Sequence, residues 1–332
     1  MHSEEPGPAA RRAAESNPAD PSGTVGFIGL GVMGRPMAGN LLAAGVDLIV
    51  FNRSRPAQDA LVARGASGAE TIGDVAARAD IIITMLADDD AVRGVLGDGL
   101  LPAARPGSLI IDMSTVSPAL SRELAARAAE RAVRMLDAPV SGGDVGARDG
   151  TLSIMVGGDA ADLERARPVL DILGASVVHV GPAGTGQVVK ACNQVLVAIT
   201  IAGISEALVL GSKLGAAPET ILDVLSRGLA ANRVMELRRA NFLDHAFTPG
   251  FKVDLHHKDL DIALAGGGQA DVPLPLTALT QQLFRQLRAA GLGGSDHTAI
   301  LAAVEAQAGH RIGTPVADQV DPLDPGPEEG PR

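Results

Sequence analysis

Apolar residues follow two patterns along this chain. Up to about residue 180 they come in short runs bounded by glycine, proline or charge: Thr24–Gly29, Leu48–Phe51, Asp80–Met85, Ser108–Asp112, Met135–Ala138, Leu152–Val156 and Ser176–Val180. Such runs predict strands. The stretches between them predict helices, because apolar residues recur there at helical spacing: Met33, Met37, Leu41 and Leu42 after the first run, and Asp159–Leu173 before the last. Strands that alternate with helices build a parallel sheet with crossover connections.

From Gly184 to Gly215 the pattern changes to GTGQVVKACNQVLVAITIAGISEALVLGSKLG. It holds no proline, Lys190 and Glu206 are the only charges between Gln187 and Lys213, and apolar residues fall on nearly every face. This predicts one long buried helix, roughly 40 Å at about 1.5 Å per residue, as the spine of a second domain. A membrane span is the competing reading. Asn193, Gln194, Ser205 and Glu206 cut the apolar run below the roughly 20 residues a bilayer requires. Beyond it the chain reads as helical, with stops at Pro218, Pro249, Pro273 and Pro275 and a cap for the last helix at Ser295-Asp296-His297.

With 332 residues, 46% of them hydrophobic and 20% charged, the chain can bury cores for two domains. A net charge of -11 argues against sequence-independent nucleic-acid binding, so a small molecule is the expected partner. Cys192 is the only cysteine, which precludes an internal disulfide and a cysteine-built zinc site; a reducing cytoplasm is the expected location. Tyrosine is absent, so no tyrosine can act as an acid. Residues 1–23 and 312–332, rich in proline and charge, read as disordered tails, and the first lacks the apolar core of a signal peptide.

The first predicted strand runs directly into Gly29-Leu30-Gly31-Val32-Met33-Gly34 and then into a helix. Glycines at these three places permit a tight turn, close approach of backbone to a pyrophosphate, and packing of helix on strand. The phosphates would sit on the helix N-terminus. The second strand ends in Asn52-Arg53-Ser54, where an acidic residue would grip the ribose of NAD. None is there, and a guanidinium flanked by an amide and a hydroxyl suits a 2′-phosphate, so NADPH/NADP is expected over NADH/NAD. The alternative for Arg53 is a solvated loop. Leu86 and Thr115, at the carboxyl ends of later strands, should line the same crevice. The expected fold class is α/β: an N-terminal Rossmann-type doubly wound sheet over residues 24–183, then an all-α domain over 184–311 built on the long interdomain helix.

Three further features carry candidate chemistry. Lys190 lies in the first turns of the long helix, where the dipole disfavours a cation, with the amides of Asn193 and Gln194 on its face; it either reaches solvent along its stem or serves as a functional amine. Ser141-Gly142-Gly143 is either an ordinary turn or a nest of amides for a carboxylate. Lys258 either pairs with a surface carboxylate or reaches a ligand. Its neighbours His256 and His257 do not face one way on a helix, so no metal site is expected.

Four segments in this order, GFIGLGVMG from Gly26, DAPVSGG from Asp137, GTGQVVKACNQ from Gly184 and KDL from Lys258, make the chain resemble the β-hydroxyacid dehydrogenase family over about residues 24–311. The resemblance implies hydride transfer between a nicotinamide cofactor and a small 3-oxo or 3-hydroxy carboxylic acid. It implies Lys190 as catalytic lysine with Asn193 assisting, and Ser141, Gly142 and Gly143 on the substrate carboxylate. It places Thr115 and Lys258 on the cofactor side. Some members carry asparagine where this chain has Gln194, which leaves open which amide meets substrate. Family members are commonly dimers or tetramers, so a homodimer or homotetramer formed through the helical domain is expected. A free lysine has a pKa of about 10.4, and the helix N-terminus is expected to lower that of Lys190.

Overall fold

The computed structural model describes residues 23–313, so the expected tails fall almost wholly outside the described residues. Among the described residues nine strands form one sheet: β1 (Val25–Ile28), β2 (Leu48–Phe51), β3 (Ser67–Gly68), β4 (Ile81–Thr84), β5 (Leu109–Asp112), β6 (Arg134–Asp137), β7 (Val140–Ser141), β8 (Leu152–Gly157) and β9 (Gly174–Gly181). Their order is β3-β2-β1-β4-β5-β6-β8-β7, with β9 paired to β8. The first six strands run parallel, in a register that sets Phe27 opposite both Val50 and Ile83.

Side-chain alternation explains why these runs are almost wholly apolar. Phe27, Val50, Ile83 and Ile111 enter one core, while Ile28, Ile49, Ile82 and Ile110 enter another on the opposite face. A sheet covered on both faces needs apolar residues at odd and even positions alike. The expected parallel arrangement with crossover helices runs through β6, after which β8 runs antiparallel to β6 and β7. The link from Ser141 to Leu152 contains only the short helix Gly143–Asp149, too little chain for a parallel crossover.

Helix α1 (Gly34–Ala43) follows β1 directly, and helix α2 (Ala160–Leu173) precedes β9. Strand order reverses at β1, with β2 on one side and β4 on the other. That reversal opens a crevice at the carboxyl ends of the strands.

The predicted spine is one uninterrupted helix, α3 (Thr185–Lys213). Two compact units divide inside it, after Cys192, so its first turns belong with the sheet rather than wholly with the helical part. The second unit holds the remainder of α3 with α4 (Val253–Gln269), α5 (Pro275–Ala289) and α6 (Ile300–Ala308). Its core gathers Ile201, Leu208, Phe242, Phe284 and Leu301. By length and composition α3 could cross a membrane. Ala198, Ile201, Ile204 and Leu208 are instead buried in this core. Two of the prolines expected to stop helices begin them: Pro218 and Pro275 each stand at the start of a helix, where a missing N–H loses no bond. Asp296 caps the turn before α6 by accepting from Thr298 N–H, as expected.

Candidate active site

The three glycines after β1 have different reasons to be glycine. Gly29 has φ +98°, and a Cβ there would lie 2.3 Å from the Met85 carbonyl oxygen. A Cβ on Gly34 would lie 1.9 Å from the Gly29 carbonyl oxygen, so helix and turn pack backbone to backbone. A Cβ on Gly31 would meet no atom within 4 Å. Protein packing therefore demands the first and third glycines, while the second borders open space beside the exposed Val32. Met33, at the N-cap of α1, provides no capping side chain, and the first turn carries no acidic residue. Arg35 N–H already bonds the Gly31 carbonyl at 3.1 Å and Pro36 carries no N–H, so the amides left for an anion are those of the turn up to Gly34. These residues fit a dinucleotide: open room at Gly31, amides of the glycine turn up to Gly34 for the pyrophosphate, and no carboxylate in the first turn of α1 to repel it.

Asn52, Arg53 and Ser54 divide their roles. Asn52 Oδ1 accepts from Leu30 N–H at 2.9 Å, and its Nδ2 donates to both the carbonyl and the Oγ of Ser54 at 3.0 Å. Its backbone N–H is held by the buried Gln58. Asn52 thus holds the glycine turn and leaves Arg53 and Ser54 at the surface. Arg53 has no carboxylate partner among the described residues, whereas nearby Arg55 is paired with Glu70.

Further along the crevice the strand ends are tied to each other and to α3. Thr84 Oγ1 donates to Asp112, Ser114 N–H donates to the same carboxylate oxygen, and Leu86 N–H donates to Ser114 Oγ at 2.9 Å. Gln187 then spans Thr115. Its Nε2 donates to the Ser114 carbonyl at 2.8 Å and its Oε1 accepts from Val116 N–H at 3.2 Å. Lys190 lies three residues on, on the same helix face, and is 5% exposed. Burial removes the reading of Lys190 as a surface amine.

The start of α3 has an unusual cap. Gly184 N–H donates to Asp137 Oδ1 at 2.7 Å and Gln187 N–H to Asp137 Oδ2 at 3.0 Å, so a carboxylate at the end of β6 satisfies the N-cap and N3 amides together. Burial pushes the Asp137 carboxyl up to about 6, against the opposing pull of these donors. Two residues beyond Asp137, Pro139 leads into Ser141-Gly142-Gly143, where φ is +134° at Gly142 and +63° at Gly143. Only glycine adopts such a pair without strain, and the turn places successive amides beside the half-buried Ser141.

In the second unit the expected residues form a chain. Asn193 Nδ2 donates to Gln194 Oε1 at 2.8 Å, and Gln194 Nε2 donates to Asp259 Oδ2 at 2.7 Å. Lys258 Nζ stands 3.2 Å from the other Asp259 oxygen, an ion-pair contact outside hydrogen-bond geometry. His256 is fully buried, with Nε2 3.1 Å from the Gln194 carbonyl and Nδ1 3.0 Å from His297 Nδ1. His257 faces elsewhere, toward Asp261 and Arg288.

Sequence reasoning gave no role to Asp137, Gln187 or Asp259. The signal available was position: Asp137 and Gln187 stand inside DAPVSGG and GTGQVVK, and a buried side chain of their polarity needs partners.

A glycine turn of this kind at a sheet's switch point, with a buried lysine in the first turns of α3 in the same unit, fits an NAD(P)-dependent oxidoreductase. Residues 24–181 match the NAD binding domain of 6-phosphogluconate dehydrogenase, and residues 184–304 match the NAD-binding domain of NADP-dependent 3-hydroxyisobutyrate dehydrogenase. The chain is similar to 2-(hydroxymethyl)glutarate dehydrogenase of Eubacterium barkeri, 43% identical over 86% of this chain and 96% of that one. It is equally similar to 2-hydroxy-3-oxopropionate reductase of Escherichia coli K12, 43% identical over 87% of this chain and 99% of that one. Among solved structures, 3-hydroxyisobutyrate dehydrogenase of Mycobacterium tuberculosis with L-serine superposes with a TM-score of 0.79 at 35% identity, over 85% of this chain and 99% of that one. The chain belongs to the β-hydroxyacid dehydrogenase family and is an oxidoreductase acting on a CH–OH group.

Proposed function

We propose that this chain reduces 2-hydroxy-3-oxopropionate (tartronate semialdehyde) to glycerate, with NADPH as cofactor and Lys190 as proton donor. The observation that carries the reading is Lys190 itself: a buried amine one turn past a glutamine bonded on both sides of Thr115. The nicotinamide, when bound, supplies the hydride. Negative charge then develops on the carbonyl oxygen, and an ammonium held there lowers the barrier and gives up its proton. The amides at Ser141, Gly142 and Gly143 hold the substrate carboxylate. Asn193 reaches toward the substrate from the lysine's face, while Gln194, fastened to Asp259, acts as its backstop. Arg53 reads the 2′-phosphate, and Lys258 approaches from the cofactor side.

Amides on the lysine's own helix favour a substrate that carries a hydroxyl beside its aldehyde, and the similarity to 2-hydroxy-3-oxopropionate reductase over nearly all of that chain points the same way. A second reading rests on the equal identity to 2-(hydroxymethyl)glutarate dehydrogenase, whose substrate is a longer dicarboxylate. Initial rates on tartronate semialdehyde, methylmalonate semialdehyde, succinic semialdehyde and 2-formylglutarate, each with NADPH and NADH, separate the possibilities. The highest kcat/KM is expected for tartronate semialdehyde with NADPH; a preference for 2-formylglutarate would move the assignment to the second reading. Self-association as a dimer or tetramer is part of the proposal, supported by the exposed Leu196 and Leu210 on α3 and Leu276 and Leu279 on α5. A reducing cytoplasmic setting suits the single thiol, Cys192, which is exposed.

A further inference from the structure

We infer that Gln187 is a positioning residue: through paired hydrogen bonds on either side of Thr115 it fixes the spacing between the cofactor-side turn after β5 and the turn of α3 that carries Lys190. The inference rests on the reading of Lys190 as proton donor.

Four observations support it. Gln187 is 1% exposed, and both ends of its amide are used on backbone, Nε2 on the Ser114 carbonyl and Oε1 on Val116 N–H. A primary amide is suited to this task because it holds a donor group and an acceptor atom side by side in a fixed plane. Its own N–H is gripped by Asp137, which also takes Gly184 N–H, so the helix start cannot slide along its axis without breaking bonds at both strand ends. The packing leaves no slack: a Cβ on Gly186 would lie 2.5 Å from the Met155 carbonyl oxygen and 2.7 Å from that of Asp137, and a Cβ on Gly157 would lie 2.6 Å from Asp137 Oδ1. Finally, Ser114 is itself anchored, by Leu86 N–H on its Oγ and by its own N–H on Asp112, so the turn that Gln187 grips is fixed in the sheet.

Lys190 follows Gln187 by three residues, about 4.5 Å along the axis and on the same face. Turning the Gln187 amide or removing it therefore shifts the lysine relative to Thr115. A displacement of about 1 Å at a reacting group can cost on the order of 10²-fold in rate.

The test uses three variants of the full-length enzyme, with kcat, KM, cofactor binding by NADPH fluorescence, and thermal unfolding measured on each. Gln187→Leu, which keeps the volume and loses both bonds, is expected to lower kcat by about 30-fold or more while the Kd for NADPH changes by less than about 5-fold. Gln187→Glu supplies the readout that a purely structural role would not move. An ionised carboxylate accepts from Val116 N–H but repels the Ser114 carbonyl, whereas the protonated acid can donate to it. That variant should therefore regain kcat as pH falls, through an ionisation missing from the wild-type profile, and this recovery remains measurable even if Gln187→Leu does not fold. Lys190→Ala is the reference. If it keeps near-normal turnover, the assignment of the proton donor fails. If it loses turnover while Gln187→Leu and Gln187→Glu both keep wild-type kcat and pH profile, the positioning role alone is overturned.

Discussion

Asn52 Oδ1 accepts from Leu30 N–H at 2.9 Å, so the end of β2 holds the middle of the glycine turn. This contact separates two residues that stand side by side in sequence. Asn52 shapes the glycine turn, while the exposed Arg53 is the residue proposed to discriminate at the ribose. Arg53→Ala is expected to lower kcat/KM for NADPH by about 10-fold or more, as loss of a charge-assisted hydrogen bond of roughly 1.5–3 kcal/mol implies, with little change for NADH. Asn52→Ala should weaken both cofactors alike. The ratio of kcat/KM for the two cofactors in each variant decides, and an unchanged ratio in Arg53→Ala removes Arg53 from cofactor choice.

The glycine turn allows packing and ligand approach to be tested separately. Gly31→Ala places a methyl group where no protein atom lies within 4 Å, so its Tm should stay close to wild type while NADPH binding weakens at least about 10-fold. Gly34→Ala forces its methyl group against the Gly29 carbonyl and should destabilise by about 1–3 kcal/mol or more. Thermal unfolding with and without NADPH distinguishes the two; equal loss of Tm in both variants would mean that Gly31 is also a packing glycine.

Lys190→Ala should lower kcat by about 10²–10⁴-fold, the range of general acid–base catalysis, while NADPH still binds. Steady-state rates joined to a fluorescence titration check this. Because the side chain is buried, a shorter residue also leaves a cavity, so Lys190→Met, which keeps most of the volume, should be equally inactive and closer to wild type in Tm.

Asp137 gives the stability a pH dependence of known sign. Burial, which penalises the charged form, pushes its carboxyl in the folded protein up to about 6 from the ordinary 3.8. Between these two values the folded protein holds a proton that the unfolded chain has released. Stability from this group is therefore full below about pH 4 and declines as pH rises through about 6. Asp137→Asn should flatten that part of the curve. Urea unfolding at intervals from pH 4 to 7 measures the slope, and an equal slope in both proteins would sink the assignment.

Much of the fold was legible because short apolar runs and helical spacing are local properties. Leu48–Phe51 was placed to the residue, and α3 was recognisable from its lack of proline and its near absence of charge. The antiparallel β8 was not, since strand direction depends on how far the chain between Ser141 and Leu152 can reach. Pro218 and Pro275 were read as stops although proline is equally compatible with a helix start, and only the backbone on either side distinguishes the two.

By itself the sequence determined the elements, the glycine turn, the absence of an acidic residue after β2 and the positions of the candidate lysine and amides, all of which follow from residue type and spacing. Tertiary structure alone decided what those side chains touch. It turned Asn52 inward and Arg53 outward, set Asp137 under the start of α3 from 47 residues away, and closed Gln187 around Thr115. Such pairings depend on which strand ends lie side by side, and that is fixed only when the whole sheet has formed.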